Sequence, residues 1–245
     1  MEMTTELKQK LEDAVWAAHS LFERGKTSGS SANMSFAHDG KIYISASGTC
    51  FGTLTAEDFS VLLHDGTHID GRKPSKEWPL HLALYEKSPN VQAVIHTHSP
   101  YSILWSFVPD LNEIDCIPDH TPYLKMKLGT VGMIPYEKPG TPELFAAFRE
   151  RAAASDGYLL KAHGPVVPGK SVMDAFYCLE ELEESAQIDG ATHMVIFRKI
   201  IWPLSKPILA TIAIFGAVGH WNSFTDSLIL MQSAPTLYTL QHRLY

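Results

Sequence analysis

The sequence has few cysteines, and their spacing argues against the structures that cysteines most often build. Only three occur among 245 residues, at positions 50, 116 and 178, and no two of them form a C-x-x-C pair. An odd, widely spaced set supports neither a disulfide framework nor a thiolate zinc knuckle. No secretory signal is visible, because the apolar positions of residues 11–22 are interrupted by Glu12 and Asp13. These features predict a cytoplasmic protein.

Basic residues are also scarce. The chain has 20 Lys and Arg against 27 Asp and Glu, which gives a formal net charge of −7. A broad nucleic-acid surface neutralises phosphates with clustered Lys and Arg, so the composition argues against a nucleic-acid partner. A small anionic substrate stays compatible with this charge, because one pocket can be locally positive on an acidic protein.

Charged residues are nearly missing from the C-terminal part of the chain. Residues 189–245 hold six of them with a net charge of +2, whereas residues 1–188 hold 41 with a net charge of −9. The tail also contains the apolar run 208–218, interrupted only by Thr211 and Gly216. This change in composition predicts a boundary near residue 188, between a first domain at 1–188 and a tail at 189–245.

Helical and strand patterns alternate within the first domain. Apolar periodicity and capping residues predict helices over 6–24, from a Ser75 cap to about residue 87, after an N-cap at Thr141, and from Ser171 onward. Short β-branched segments predict strands at 41–45, 93–98 and 158–161. The fold class is therefore α/β, with enough apolar residues for a substantial core.

Three histidines and one glutamate form a candidate metal site. His96 and His98 end a predicted strand, where side chains at i and i+2 project from the same face. His163 follows another predicted strand, and Glu77 lies at a predicted helix start. The helix dipole also stabilises a carboxylate at that position. Each residue alone is also compatible with an ordinary hydrogen-bonded position at the end of an element. Together they suit Zn²⁺, with Mn²⁺, Co²⁺ or Fe²⁺ as alternatives.

Four short motifs carry a resemblance to a known family. They are S-K-E at 75–77, H-T-H at 96–98, P-Y at 122–123 and H-G-P at 163–165. In this order and spacing they resemble the class II aldolase/adducin family over roughly residues 5–188. The resemblance implies a three-layer α/β/α domain with a central mixed sheet, assembled as a cyclic homotetramer with active sites between neighbouring subunits.

The resemblance also implies a mechanism. The metal binds adjacent oxygens of a sugar phosphate and stabilises an enediolate, because a Lewis acid lowers the cost of charge on a carbonyl oxygen when a neighbouring C–C bond breaks. Glu77 would be a ligand and a proton shuttle, displaced from the metal when substrate binds. Tyr123 would be a proton donor from the neighbouring subunit; an ordinary buried tyrosine with a bonded hydroxyl is the alternative.

Three loops rich in small residues predict a phosphate pocket. Their backbone N–H groups and hydroxyls suit an anion, although such loops are also ordinary turns. They match the family's phosphate-binding positions, except that Ala32 stands where the family usually has glycine, and a positive φ there would strain alanine. The candidate phosphate-binding residues are Ser31, Asn33, Ser47, Gly48, Ser75 and Lys76.

The amino-acid sequences of several segments indicate which substrate the resemblance implies. Residues 47–52, 70–77, 121–123 and 162–167 resemble the family members that decarboxylate 3-oxo-tetronate 4-phosphate to dihydroxyacetone phosphate and CO₂. Lys76 stands where sugar-phosphate aldolases commonly have a second serine, and it could pair with the departing carboxylate or be a solvated cation. A fuculose- or rhamnulose-phosphate aldolase and a pentulose-phosphate 4-epimerase are the alternatives within the family. A non-catalytic adducin-like assembly domain is disfavoured by the full ligand set.

The tail resembles a different family. Residues 184–203 fit E-[AS]-A-x3-G-x9-I-x2-P, with Gly190, Ile200 and Pro203 in register, like the cytoplasmic coupling loop of carbohydrate ABC-transporter permeases. A membrane segment at about 207–224 would follow, and a buried soluble helix is the alternative. Residues 181–186 suit both families, so we hypothesise a junction there, with 189–245 foreign to the enzyme. A membrane partner is expected only if the tail is genuine.

Overall fold

The computed structural model describes residues 4–118, 121–188, 197, 201–221, 229 and 244. The chain divides into two units, residues 1–193 and 194–245. The helices described in the first unit are α1 (Thr5–Glu23), α2 (Trp78–Lys87), α3 (Pro100–Trp105), α4 (Pro122–Lys127), α5 (Pro142–Arg151) and α6 (Val172–Ile188). The strands described there are β1 (Asn33–His38), β2 (Lys41–Ser45), β3 (Phe59–Leu62), β4 (His68–Asp70), β5 (Ala93–His96), β6 (Val131–Ile134), β7 (Gly157–Leu160) and β8 (Gly164–Gly169).

One eight-stranded sheet forms the centre of this unit, with the strand order β4-β3-β2-β1-β5-β8-β7-β6. The pairing of β6 with β7 is parallel, and the other pairs are antiparallel. The two strands that lie side by side at the centre, β1 and β5, pair Asn33 opposite His96. The predicted central mixed sheet is therefore confirmed, and its middle carries two of the predicted site residues.

Helices cover the sheet with two separate apolar clusters. Residues of α1, α4 and α6 belong to the first cluster, and residues of α2 and α5 belong to the second. Successive strand residues alternate between them: in β5, Ala93 and Ile95 join the first cluster and Val94 joins the second. Because alternate strand side chains point to opposite faces, this division gives the helix–sheet–helix layers that the resemblance implied.

Two of the element boundaries that differ from the sequence-based expectation lie at the candidate site. Helix α2 begins at Trp78 with Glu77 at the N-cap position, so Ser75 is not its cap. The Ser75 N–H instead donates to the Ser45 carbonyl at 3.2 Å, which keeps this residue in an extended segment. Strand β5 ends at His96 rather than at residue 98, because Ser99 and Pro100 begin α3.

The second unit contains the helix α7 (Trp202–Trp221), which includes Pro207. It is long and apolar enough to cross a membrane by length and composition, and none of its described residues is buried. The last three residues of the span predicted at 207–224 lie outside the described residues. The coupling-loop positions Gly190 and Ile200 lie outside them as well.

Candidate metal centre

The structure brings the three histidines together from two places in the sheet. His96 is the last residue of β5, and His98 follows two residues later. His163 lies in the turn between β7 and β8, where its N–H donates to the Leu160 carbonyl at 3.1 Å. One ligand nitrogen of each ring lies within 4.8 Å of the others. The rings of His96 and His98 are close, with centroids 5.3 Å apart, but His98 lies beyond the end of the strand, so strand alternation is not the cause.

Glu77 completes the cluster. Its carboxylate oxygens lie 3.4 Å from His96 Nε2 and 3.4 Å from His163 Nε2, and the two Nε2 atoms are 3.3 Å apart. Two nitrogens that bind one ion at about 2.0–2.1 Å with a tetrahedral angle lie about 3.3–3.4 Å from each other. The spacing of these groups therefore fits a single divalent metal ion.

The hydrogen bonds of the imidazoles favour the same interpretation. His96 Nδ1 donates to the Pro165 carbonyl at 2.8 Å, so its Nε2 lone pair faces the cluster. His98 Nε2 and His163 Nδ1 are buried, and neither has a hydrogen-bond partner among the described residues. A buried polar atom without a partner costs free energy, so the unpaired Nε2 of His98 suits a metal ligand, whereas His163 faces the cluster with Nε2 and not with its unpaired Nδ1.

The imidazoles are held in their neutral form. Burial, together with the smaller effect of a neighbouring imidazole, lowers the pKa of His96 and of His163 to about 3. Burial also lowers the pKa of His98, with an opposing effect from Glu77 and a smaller lowering effect from Lys76. Burial lowers the pKa of His81, a histidine of α2 behind the site, to about 3. Neutral imidazoles with free lone pairs are the form that binds a metal.

These pKa values predict acid sensitivity of the metal-free protein. An unfolded histidine takes up a proton below its ordinary pKa of 6.5, whereas His81, His96 and His163 stay neutral in the folded state until about pH 3. The free energy of unfolding should therefore fall as the pH falls through this window, by roughly 1 kcal/mol per histidine and pH unit. Urea unfolding at pH 7.5 and 5.5 measures it, and the His81→Gln variant should show a smaller pH dependence. Equal stability at both pH values would contradict this prediction.

A cavity of about 450 Å³ is lined by three of the four groups, Glu77, His98 and His163. Its wall combines the three predicted loops with the candidate ligands and with a loop near residue 139. The lining residues are Ser28, Gly29, Ser30, Ser31, Ala32, Asn33, Ala46, Ser47, Gly48, Ser75, Lys76, Glu77, His98, Pro139 and His163. All six predicted phosphate-binding residues are among them, so the structure brings these residues and the histidine cluster to one cavity.

The phosphate-loop residues have different freedom to bind a ligand. The Ser31 hydroxyl donates to the Ser28 carbonyl at 2.8 Å, and both side-chain ends of Asn33 are engaged by protein groups. Lys76 is exposed and packs along Gly140, where an added Cβ would lie 3.1 Å from the ammonium nitrogen. Ala32 does not have a positive φ, so the strain that a positive φ there would cause does not arise; Ala162, beside His163, has a positive φ of 57°.

Tyr123 lies apart from this cavity. It belongs to α4, its side chain is 57% exposed, and it is not among the described residues that line the cavity. Within this chain Tyr123 is therefore an exposed residue and not a buried one.

His81 and Tyr85 were missed in the sequence, and Ser35 was considered only as part of a phosphate loop. Ser35, His81 and Tyr85 form a buried hydrogen-bonded group behind Glu77. The position of His81 four residues after Glu77, on the same helix face, was the available signal.

The comparison with known families agrees with this geometry. The model of the Class II Aldolase and Adducin N-terminal domain matches residues 12–189. The chain belongs to the class II aldolase and adducin family. Among curated members, a 3-oxo-tetronate 4-phosphate decarboxylase of Escherichia coli (strain K12) is 39% identical over 178 residues, covering 72% of this chain and 84% of the relative. An L-fuculose phosphate aldolase of Methanococcus vannielii is 33% identical over 179 residues, covering 73% of this chain and 94% of that relative.

A solved structure has the same fold. The crystal structure of YgbL from Klebsiella pneumoniae has a TM-score of 0.72 and 38% sequence identity, covering 76% of this chain and 90% of that chain. The relatives named above are decarboxylases and aldolases, so the enzymes to which this chain is similar are carbon–carbon lyases.

Proposed function

We propose that this protein is a metal-dependent lyase that decarboxylates 3-oxo-tetronate 4-phosphate to dihydroxyacetone phosphate and CO₂. The observation that carries the proposal is the cluster of Glu77, His96, His98 and His163 at a cavity that small-residue loops and three of these four residues line. The identity of 37–39% to curated decarboxylases supports the choice of substrate.

The reaction follows from the substrate, a β-keto acid. The bond between C1 and C2 breaks, C1 leaves as CO₂, and the electron pair moves towards the C3 oxygen to give an enediolate. A proton added at C2 then gives dihydroxyacetone phosphate. A divalent ion held by the three imidazoles and Glu77 supplies Lewis-acid stabilisation for the charge that develops on oxygen.

The chain's own residues bind the two ends of the substrate and move the proton. The loops around Ser31, Ser47 and Ser75 offer N–H groups and hydroxyls to the phosphate. Lys76, exposed at the cavity wall, pairs with the carboxylate that leaves. Glu77 carries the proton for C2, because it is the carboxylate that lies among the candidate ligands.

Three further properties belong to this proposal. Zn²⁺ is the preferred ion, because three imidazoles and one carboxylate suit it, with Mn²⁺ or Co²⁺ as alternatives. A homotetramer is proposed, and the exposure of Tyr123 supports a role for its hydroxyl as a proton donor in a neighbouring subunit's site. The location is the cytoplasm.

The substrate is tested by offering Zn²⁺-loaded protein 3-oxo-tetronate 4-phosphate and measuring CO₂ release. Lys76→Ser should lower kcat/KM by about 10-fold or more, because a charge-assisted contact to the carboxylate is lost. Lys73→Ser is the matched control, since Lys73 is exposed and is not among the cavity-lining residues. No CO₂ release, together with cleavage of L-fuculose 1-phosphate, would move the assignment to the aldolase alternative. Protein that binds no metal would favour the non-catalytic assembly domain.

We further propose that residues 189–245 are foreign to the enzyme. The family match that ends at residue 189 and the unit division near residue 193 support a boundary here. Sequencing the source gene across residues 175–195 tests the junction, and an uninterrupted native frame would contradict it.

Truncation after residue 188 should increase the soluble fraction of the protein. Helix α7 exposes large apolar side chains, including Leu204, Ile208 and Phe215, and exposed apolar patches promote association. Size-exclusion chromatography of both lengths at equal concentration measures the effect. Equal aggregation of the two proteins would count against a foreign tail.

A further inference from the structure

Five buried polar side chains connect α2 to β1 behind the candidate metal centre. Asn33 Nδ2 donates to Glu77 Oε2 at 3.0 Å, and Asn33 Oδ1 lies 2.6 Å from His81 Nε2. His81 Nδ1 lies 2.7 Å from Ser35 Oγ, which lies 2.8 Å from the Tyr85 hydroxyl. All five residues are buried. We call this set the polar ladder.

The polar ladder is possible because the spacing of its members along the helix nearly equals the spacing of its members along the strand. Its helix members lie four residues apart, at 77, 81 and 85, and its strand members lie two apart, at 33 and 35. Four helical residues rise about 6.0 Å, and two strand residues rise about 6.6 Å. Side chains from the two elements therefore alternate without a gap.

The chemistry of the ladder fixes the direction of its hydrogen bonds. A carboxylate only accepts, so the amide N–H₂ end of Asn33 faces Glu77, and the amide oxygen must accept from His81 Nε2. Burial holds the pKa of His81 at about 3, so its ring is neutral and Nδ1 accepts from the Ser35 hydroxyl. Ser35 then accepts from the Tyr85 hydroxyl. Each donor thus points along the ladder towards Glu77.

We propose that His81 is a positioning residue for Glu77: it locks the Asn33 amide so that its N–H₂ end holds one carboxylate oxygen beside the three imidazoles. Without this lock the amide can turn over, which sets its oxygen against the carboxylate oxygen, and two acceptors at about 3 Å repel. Glu77 then loses the orientation that it needs. The inference rests on the proposed catalytic role of Glu77.

The first test measures the tautomer without turnover. The ¹⁵N shifts of histidine-labelled, Zn²⁺-loaded protein should show His81 as the neutral form with its proton on Nε2, identified by the signal missing in His81→Gln. A proton on Nδ1, or a mixture of tautomers, would overturn the inference. Wild-type protein that binds Zn²⁺ and releases no CO₂ would contradict the proposed function, while the tautomer still decides the inference.

The second test separates positioning from folding. His81→Phe should lower kcat per Zn²⁺-loaded site by about 10–100-fold, the usual cost of losing an outer partner of a metal site, with KM within about threefold. His81→Gln keeps a donor for Asn33 and should retain kcat within about fivefold of wild type. His19→Phe, which removes a hydrogen bond to the Leu54 carbonyl away from the cavity, is the matched control and should keep full kcat.

Either of two results would overturn the proposal. One is an unchanged kcat per loaded site in His81→Phe, with only the melting temperature lowered, which indicates a role in stability alone. The other is an equal loss in His81→Gln and His81→Phe.

Discussion

Glu77→Gln is expected to lower kcat for decarboxylation by about 10²–10⁴-fold, the usual contribution of a positioned acid–base group. Glutamine keeps the size of the side chain but cannot take up and release the proton that C2 needs. Glu77 is 4% exposed, and its carboxylate accepts a hydrogen bond from Asn33 Nδ2 at 3.0 Å, so the side chain is held in one place at the cavity wall. The steady-state rate of CO₂ release, normalised to bound metal, measures the loss.

Measuring the metal content of Glu77→Gln distinguishes the acid–base role of Glu77 from its role as a metal ligand. His96, His98 and His163 remain, so the protein should still bind an ion, with weaker affinity than wild type. Glu86→Gln is the matched control, because Glu86 is an exposed carboxylate of the same helix that pairs with Arg149 at 3.4 Å. A Glu77→Gln protein with full metal content and wild-type kcat would remove Glu77 from the mechanism.

Gly164→Ala is expected to destabilise the first unit by about 4 kcal/mol or more, through overpacking added to backbone strain. Gly164 has a φ of 145°, and a Cβ there would lie 2.1 Å from the Thr97 carbonyl oxygen and 3.2 Å from His98 Cα. Both neighbours are backbone atoms, so relief requires the β7–β8 turn to move away from the end of β5. That movement separates His163 from His98, and zinc affinity should fall together with stability.

Gly40→Ala is the control for the glycine substitution. Gly40 has a φ of 67° with no atom within 4 Å of an added Cβ, so only the left-handed backbone cost of about 1–2 kcal/mol applies. Urea unfolding and zinc titration of both variants measure the difference. Equal losses of stability in the two variants would show that contact with Thr97 is not the cause.

The parts of the candidate site that lie in short sequence motifs could be predicted from the sequence. His96 and His98 are two residues apart, and both lie close to His163, as the sequence-based analysis expected. Glu77 was expected at a helix start and occupies the N-cap position of α2. The possible strain at Ala32 depended on a positive φ there, and the sequence alone does not reveal φ; Ala32 does not have a positive φ, whereas Ala162 does.

The polar ladder was not predictable, because its contacts join residues 44 to 50 positions apart. Asn33 was assigned to phosphate, whereas its amide is engaged by Glu77 and His81. Only the pairing of β1 with β5, which sets Asn33 opposite His96, brings this amide to the cluster. Strand pairing depends on the whole sheet, so no local pattern reports it.

The polar ladder also bears on how the chain avoids misfolding. Along β1, Met34 and Phe36 enter the apolar cluster beneath α1, while Asn33 and Ser35 face α2. A slip of one residue would put Met34 against the Glu77 carboxylate and bury the Asn33 amide among hydrocarbon side chains. A one-residue slip is therefore unfavourable on both faces of β1. The residues that hold Glu77 also favour the native register of β1 in the sheet.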